Sequence, residues 1–466
     1  MKLSSLLVLT ACGFCLLQAK VAGNFGPQPF SDGTRYAAVG DSITHHGLYP
    51  LYLEAFYRTR FPTRKVDFIN LGISGDTVAG GLVRYPWDIQ PEHASVASVF
   101  FGMNDVSRNL YQTGKSGPEL ERQRLAKINE YEANLRILVA RLKVDGVKVI
   151  LVTPTVYDDT STKAAPSGFE GVNDALTQCG KRAELFAKEQ NIPLVDFNTP
   201  MRDLTRRLQS ADPAATLIGA DRTHPQAPGH LLVTALFLEA QGLAGDVWRI
   251  AIDADAVKIR EAFKCRVENV VKTPNTIEFQ YIADSLPFPV EEAAASALDW
   301  FPFTEKFNRE VLSVTGLEAG RYRLKIDGRD IRGYSSAELA LGINLVSESS
   351  APEVKQAKRV WALIQQRANY VRKKRDIVMV EFQAARDLPR PLTLAEIEPL
   401  LAVRLQRAIG GTSEPFIRRT GADYLVNKSM ERELELKARE IERGIYEAAR
   451  PGSHRIEIVR SDVMEQ

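Results

Sequence analysis

Over residues 30–245 the sequence predicts an α/β fold built on a parallel sheet, and three observations predict it. Short apolar runs alternate with helical patterns from Tyr36 to about Gly242. The run Ala97-Ser-Val-Phe-Phe101 lacks the polar alternation of a half-exposed strand, as expected where both faces are covered. Helix-length segments between such runs imply crossovers, which place the strands parallel and the helices on both faces.

The elements follow in order. Residues 35–40 read as a strand ending at a turn. Residues 46–60 read as a helix, because Leu48, Leu51, Tyr52, Ala55 and Phe56 recur at helical spacing. Strands follow at 66–71 and 97–101. Residues 119–142 form a long amphipathic helix that stops before Gly146. A strand at 147–152, a helix at 171–190, a short strand at 192–196 and helices at 201–210 and 230–240 complete this part. After about Asp246 the pattern changes. Residues 266–282 and 311–326 read as antiparallel strands, with 316–320 as a turn or hairpin connection. Residues 352–375, 392–410 and 424–449 read as helices, so 255–466 is expected to be mixed α+β and partly helical.

A length of 466 residues favours two domains over a single core. The formal net charge of +2 is too small for a surface built around nucleic acid. At the N-terminus Lys2 precedes a short apolar run with small residues near Ala19 to Gly23, the pattern of a secretory signal over 1–23. Lys20 interrupts the run, leaving it short for a membrane span. Export to a periplasmic or extracellular location is therefore expected. Leu9-Thr-Ala-Cys12 resembles a bacterial lipobox, in which Cys12 would carry a lipid anchor; a soluble form cut near Gly23 is the alternative. Cleavage there would leave Cys179 and Cys265, either bridged or as two buried thiols.

The chemistry-bearing residues fall at predicted strand ends. Gly40-Asp41-Ser42-Ile43-Thr44 stands between the first strand and a helix, so Ser42 sits at the carboxyl edge of the sheet beside a helix N-terminus. A serine hydroxyl needs a neighbouring base before it attacks; Ser42 read as a helix cap is the plain alternative. Asp221-Arg-Thr-His224 offers that base. The three-residue spacing lets the carboxylate hold one imidazole nitrogen while the other faces the serine. Asn70-Leu-Gly72-Ile-Ser-Gly-Asp76 follows the second strand and Gly102-Met-Asn104-Asp105 the third. The Gly72 N–H, the Asn104 amide and the Ser42 N–H are the three expected oxyanion donors.

These four blocks, in this order, resemble those of the GDSL/SGNH hydrolase superfamily over about residues 35–243, with Gly-Asp-Ser-Ile in place of Gly-Asp-Ser-Leu. The resemblance implies a flavodoxin-like three-layer α/β/α fold. It implies Ser42 as nucleophile, His224 as base, Asp221 as its partner, and Ser42, Gly72 and Asn104 around the oxyanion. It implies catalysis without metal or cofactor. The second half lies outside it.

Other motifs carry less. No Gly-x-Ser-x-Gly elbow is present, and Gly114-Lys-Ser lacks the first glycine of a phosphate-binding loop. His45, His46 and His93 are too scattered to argue for metal; His45 and His46 could line the site or begin a solvated helix. His230 is expected to pack beneath the catalytic loop. Arg84, Tyr85 and Trp87 could touch substrate or cover a sheet edge. Arg372-Lys-Lys-Arg375 reads as a solvated helix end, and Trp300-Phe-Pro-Phe303 as a core plug.

The expected function is therefore an exported serine esterase forming an acyl-enzyme on a small-molecule or oligosaccharide ester. Family resemblance puts carbohydrate deacetylation first and lysophospholipid or short-chain lipid esters second. A non-catalytic binding or scaffold protein retaining the domain is the competing class.

Overall fold

The structure, a computed structural model, describes residues 26–164, 167–385 and 390–461. The signal-like segment, with Cys12 and Cys15, lies outside the described residues.

Five strands form the first sheet: β1 (Arg35–Gly40), β2 (Asp67–Gly72), β3 (Val96–Phe100), β4 (Lys148–Val152) and β5 (Leu194–Val195). Their order is β2-β1-β3-β4-β5 and every pairing is parallel. The connecting helices are α1 (Ser42–His45), α2 (Tyr49–Arg60), α3 (Val78–Arg84), α4 (Pro118–Val144) and α5 (Val172–Gln190). Two more follow, α6 (Asn198–Ala211) and α7 (Ala227–Ala240). The chain leaves β1 toward β2 and then returns past it to β3, β4 and β5. Right-handed crossovers in opposite directions put α2 on one face and α4 and α5 on the other. α7 packs against α2 and so closes the first face. This is the three-layer α/β/α arrangement, and β1 lies at its switch point, where such sheets hold ligands beyond the strand ends.

The second half is a β-sandwich with a helical arm. Its strands are β6 (Trp248–Asp253), β7 (Lys258–Phe263), β8 (Cys265–Lys272), β9 (Thr276–Ala283), β10 (Glu310–Thr315), β11 (Arg321–Ile326), β12 (Arg329–Ser335), β13 (Ile343–Asn344) and β14 (Ser453–Arg460). One sheet has the order β13-β10-β6-β7, the other β12-β11-β14-β9-β8. Inward residues alternate along the strands, and Trp248, Ile250, Phe279, Tyr281, Leu312, Leu324 and Ile456 share one core. The helices of this half are α8 (Phe303–Phe307), α9 (Ser336–Leu341), α10 (Pro352–Ala384), α11 (Leu394–Ala408), α12 (Glu414–Ser429) and α13 (Glu431–Ala448).

Four expectations need correction here. β8 and β9 pair as an antiparallel hairpin, but β10 and β11 do not pair. Residues 316–320 carry the chain from one sheet to the other, because both strands bury alternate residues in the same core from opposite sides. The stretch 424–449 divides at Met430, which joins α12 to α13. The helix begun at Pro352 runs on to Ala384. The basic run 372–375 is not uniformly solvated, since Arg375 is buried on Asp88. Cys179 is buried in α5, Cys265 opens β8, and both are free. Phe303 is buried against Phe288 and Phe307, as a core plug should be.

The two halves join through the polar side of α2. Nearly all of α2 is buried, including Glu54 and Arg58, which an amphipathic reading would expose. α10 and α13 cover that side and supply partners. Arg367 of α10 bonds Glu54, and Glu442 of α13 accepts from Arg58 at 2.9 Å.

Inside the sandwich two carboxyl groups face one another. Glu353 Oε2 accepts from Tyr281 Oη at 2.9 Å and from Trp248 Nε1 at 3.2 Å. Glu310 is fully buried with no donor on either oxygen, beside the Glu353 carboxyl. Burial, then the Glu353 charge, push Glu310 well above the usual range, so it holds a proton that it can share with Glu353. The folded protein keeps this proton to higher pH than the unfolded chain, so stability falls as pH rises above the ordinary glutamate range. Glu310→Gln, which keeps a donor there, is expected to raise the unfolding free energy by ~1–3 kcal/mol at about pH 8 and by less at about pH 5. Denaturant titrations at both pH values measure it; equal effects at the two would show that Glu310 does not retain its proton.

Candidate active site

The site begins where β1 stops. Gly40 is required there, because a Cβ would lie 2.3 Å from Thr44 Oγ1 and 2.6 Å from the Phe100 carbonyl. Asp41 then caps the next turn, its Oδ1 accepting the Ile43 N–H at 2.9 Å. Burial pushes the Asp41 carboxyl up to about 7, against the lowering effect of that N–H. Ser42 is the first residue of α1, so its own N–H has no intrahelical acceptor.

His224 Nε2 lies 2.7 Å from Ser42 Oγ, and His224 Nδ1 lies 2.6 Å from Asp221 Oδ2. Asp221 Oδ1 accepts the backbone N–H of Thr223 and of His224, each at 3.0 Å. Burial raises the Asp221 carboxyl, but the His224 ring and these two N–H groups outweigh it and hold the group well below the usual carboxylate range. An ionised Asp221 fixes the His224 proton on Nδ1, which leaves Nε2 free to accept from the serine.

Arg222, between the two, escaped sequence reading. It is buried with φ 63°, a left-handed conformation. Its guanidinium donates to the carbonyls of Asp158 (2.7 Å), Ser161 (3.0 Å) and Ala164 (3.1 Å). Those bonds pull residue 222 inward, so the flanking Asp221 and His224 turn outward toward Ser42. His230 is buried at the start of α7, stacked on Tyr49 with ring centroids 6.2 Å apart, which is a packing position.

Gly72, expected as an oxyanion donor, has its N–H engaged elsewhere. The Gly72 N–H donates to Asn70 Oδ1 at 2.9 Å, and a Cβ on Gly72 would lie 2.3 Å from the His45 nitrogen. Gly72 is thus glycine for close packing of β2 on α1, and its N–H is committed. Three residues on, Gly75 (φ +77°) has open space around its Cα. Among the described residues no acceptor takes its N–H. Asn104 follows β3 and donates one amide N–H to the Asp76 carbonyl at 2.9 Å, leaving the other. Gly75 and Asn104 line one cavity.

Beneath this edge lie three buried carboxyls, Asp41, Asp76 and Asp105. Asp105 accepts from the Val78 and Gly102 N–H groups, and burial pushes it up to about 7. Arg84 is wholly buried among them and binds Asp76 (2.8 Å), Asp88 and the Leu71 carbonyl (2.9 Å). It is an internal brace rather than a substrate contact.

His45, His46 and Asp376 do converge, although the sequence spacing gave no reason to expect it. Their ligand atoms lie within 4.8 Å of one another. The hydrogen bonds argue against a cation there. The Ser74 N–H donates to His45 Nδ1 at 3.2 Å, so the ring proton sits on Nε2, 3.3 Å from Asp376 Oδ1. A metal would need that position bare.

Residues 38–232 match the GDSL-like lipase/acylhydrolase family. These residues, under half of the chain, are the part that resembles that family. An acetylxylan esterase of Geobacillus stearothermophilus is 26% identical over 225 residues, covering 45% of this chain and 94% of that protein. Its crystal structure covers 46% of this chain and 95% of its own, at TM-score 0.37. A solved gut microbial diltiazem-metabolizing enzyme is 29% identical and covers 94% of this chain and 100% of its own, at TM-score 0.85. The GDSL-like domain and the sandwich with its helical arm therefore recur together in that enzyme.

Proposed function

We propose that this GDSL-like protein is a serine esterase that removes acetyl groups from carbohydrate through an acyl-enzyme. One observation carries the reading: an unbroken hydrogen-bonded line from Ser42 through His224 to Asp221. His224 takes the Ser42 proton as the hydroxyl attacks the ester carbonyl. The oxyanion is received by the N–H groups of Ser42 and Gly75 and the free N–H of Asn104. His224 returns the proton to the departing alcohol, and water activated by the same ring then releases acetate.

Support for the substrate comes from the relative that acts on acetylxylan and from the cavity beside Asn104. Lys127, Glu130 and Asn134 of α4 and Phe382 of α10 line it. Hydrogen-bonding groups together with the rings of Tyr131 and Phe382 suit a hydroxylated ring better than an acyl chain. The basic start and apolar run at Lys2 to Leu17 support an exported enzyme. A fluorophosphonate probe is expected to label Ser42, and acetylated xylo-oligosaccharides to release acetate faster than lysophospholipids release fatty acid. Faster lysophospholipid cleavage would overturn the carbohydrate assignment. Absence of both labelling and hydrolysis would overturn the esterase assignment.

A further inference from the structure

α10 belongs to the region beyond the family-matched residues, yet it reaches the turn that follows β2. Arg375 donates to the Gly72 carbonyl at 3.3 Å. Asp376 faces His45 Nε2 at 3.3 Å, and His45 Nδ1 holds the Ser74 N–H. Gln383 Nε2 donates to the Ser74 carbonyl at 2.8 Å. Arg404 of α11 donates to Gln383 Oε1 at 2.6 Å. A guanidinium can only donate, so the amide oxygen must face Arg404 and the amide nitrogen must face Ser74.

Ser74 and Gly75 are the central residues of a turn closed by the Asp76 N–H on the Ile73 carbonyl at 3.1 Å. The positive φ of Gly75, +77°, is that of the third residue in a type II turn. Such a turn differs from type I mainly by a half-rotation of its central peptide, and a glycine accepts either form. In a trans peptide the C=O and the next N–H point to opposite sides. A bond that holds the Ser74 carbonyl toward α10 therefore holds the Gly75 N–H away from it. The half-rotated peptide would present a carbonyl oxygen in place of that donor, and the lone pair would repel the oxyanion.

We infer that Gln383 is a positioning residue for the oxyanion site, locking the peptide between Ser74 and Gly75 in the orientation that offers the Gly75 N–H to the reacting carbonyl. This rests on the acyl-transfer reading above. It gives the second half a part in the chemistry: the helical arm supplies a hydrogen bond that the family-matched residues alone lack. Gln383 touches no reacting atom, so its loss should act on turnover and spare ground-state binding.

The test uses the full chain with p-nitrophenyl acetate. Gln383→Leu removes the donor, and Gln383→Glu sets a carboxylate against the Ser74 carbonyl. The expected result is a fall in kcat of ~10–100-fold for the first and a larger fall for the second, with KM changed less than about 2-fold in each. Thermal unfolding midpoints close to wild type keep the comparison valid. If Gln383→Leu fails to fold, Arg404→Met, which frees the amide to rotate, is expected to lower kcat with the same unchanged KM. Variants as fast as an active wild type, or with KM raised and kcat kept, would overturn this inference alone. A wild type that neither hydrolyses the ester nor reacts with a fluorophosphonate would overturn the acyl-transfer reading and the role of Gln383 together.

Discussion

Ser42→Ala is expected to lower kcat/KM for ester hydrolysis by a factor on the order of 10⁴–10⁶, with the fold intact. Ser42 is only partly buried and its side chain makes one described contact, to His224, so removing the oxygen costs little packing. His224→Ala is expected to fall in the same range. The double variant should be scarcely worse than either single one, because hydroxyl and imidazole act as one unit. Initial-rate measurements on the three variants decide it. Multiplying losses would mean that the two groups do not work together, and the line from Ser42 to Asp221 would then be architecture without chemistry.

The largest effect on stability is expected at Arg84. Its guanidinium has no exposure and spans Asp76 and Asp88, which are buried too. Burial alone would lower its proton affinity, but Asp76 and Asp88 more than compensate and raise it, so the cation is held firmly. Arg84→Met would fill much of the same volume while leaving two buried carboxylates short of a cation. Breaking a buried pair from one side costs ~3–5 kcal/mol. Asp88 retains Arg375 at 2.6 Å, so the unmet charge should fall mainly on Asp76. The Asp76 carbonyl holds the Asn104 amide, so activity should fall along with stability. Denaturant unfolding together with kcat measures both. A loss under about 1 kcal/mol would show that water reaches this network.

Much of the first half was legible in the chain. Apolar runs without alternation marked the strands of a covered sheet, and helix-length separations made it parallel. Glycine-rich turns then had to fall at carboxyl strand ends, which is why Ser42, Asn104 and the Asp221–His224 loop could be assigned to one edge. Gly72 and Gly75 stand in the same motif, and nothing in it distinguishes them. The distinction lies in the Asn70 side chain, which turns back onto the Gly72 N–H, and in the turn that opens Gly75.

The second half was less legible for a physical reason. β7 interleaves Ile259, Ala262 and Phe263 with Lys258, Arg260 and Glu261 and is exposed along nearly its whole length, so no buried face marks it as a strand. β14 does alternate, with Ile456 and Ile458 buried, but its partners β9 and β11 lie more than a hundred residues earlier in the chain. Sheet membership of β10 and β11 likewise depends on distant strands rather than on the turn between them.

Local pattern, which depends on neighbours a few residues apart, determined the parallel sheet, its helices and the strand-end positions of the chemical groups. Tertiary structure alone decided which glycine N–H is left open, that Arg84 and Arg375 are internal, and that a helix starting at Pro352 reaches Ser74. Those outcomes depend on hydrogen bonds and charge pairs between segments up to 309 residues apart, whose partners are named nowhere in the local sequence.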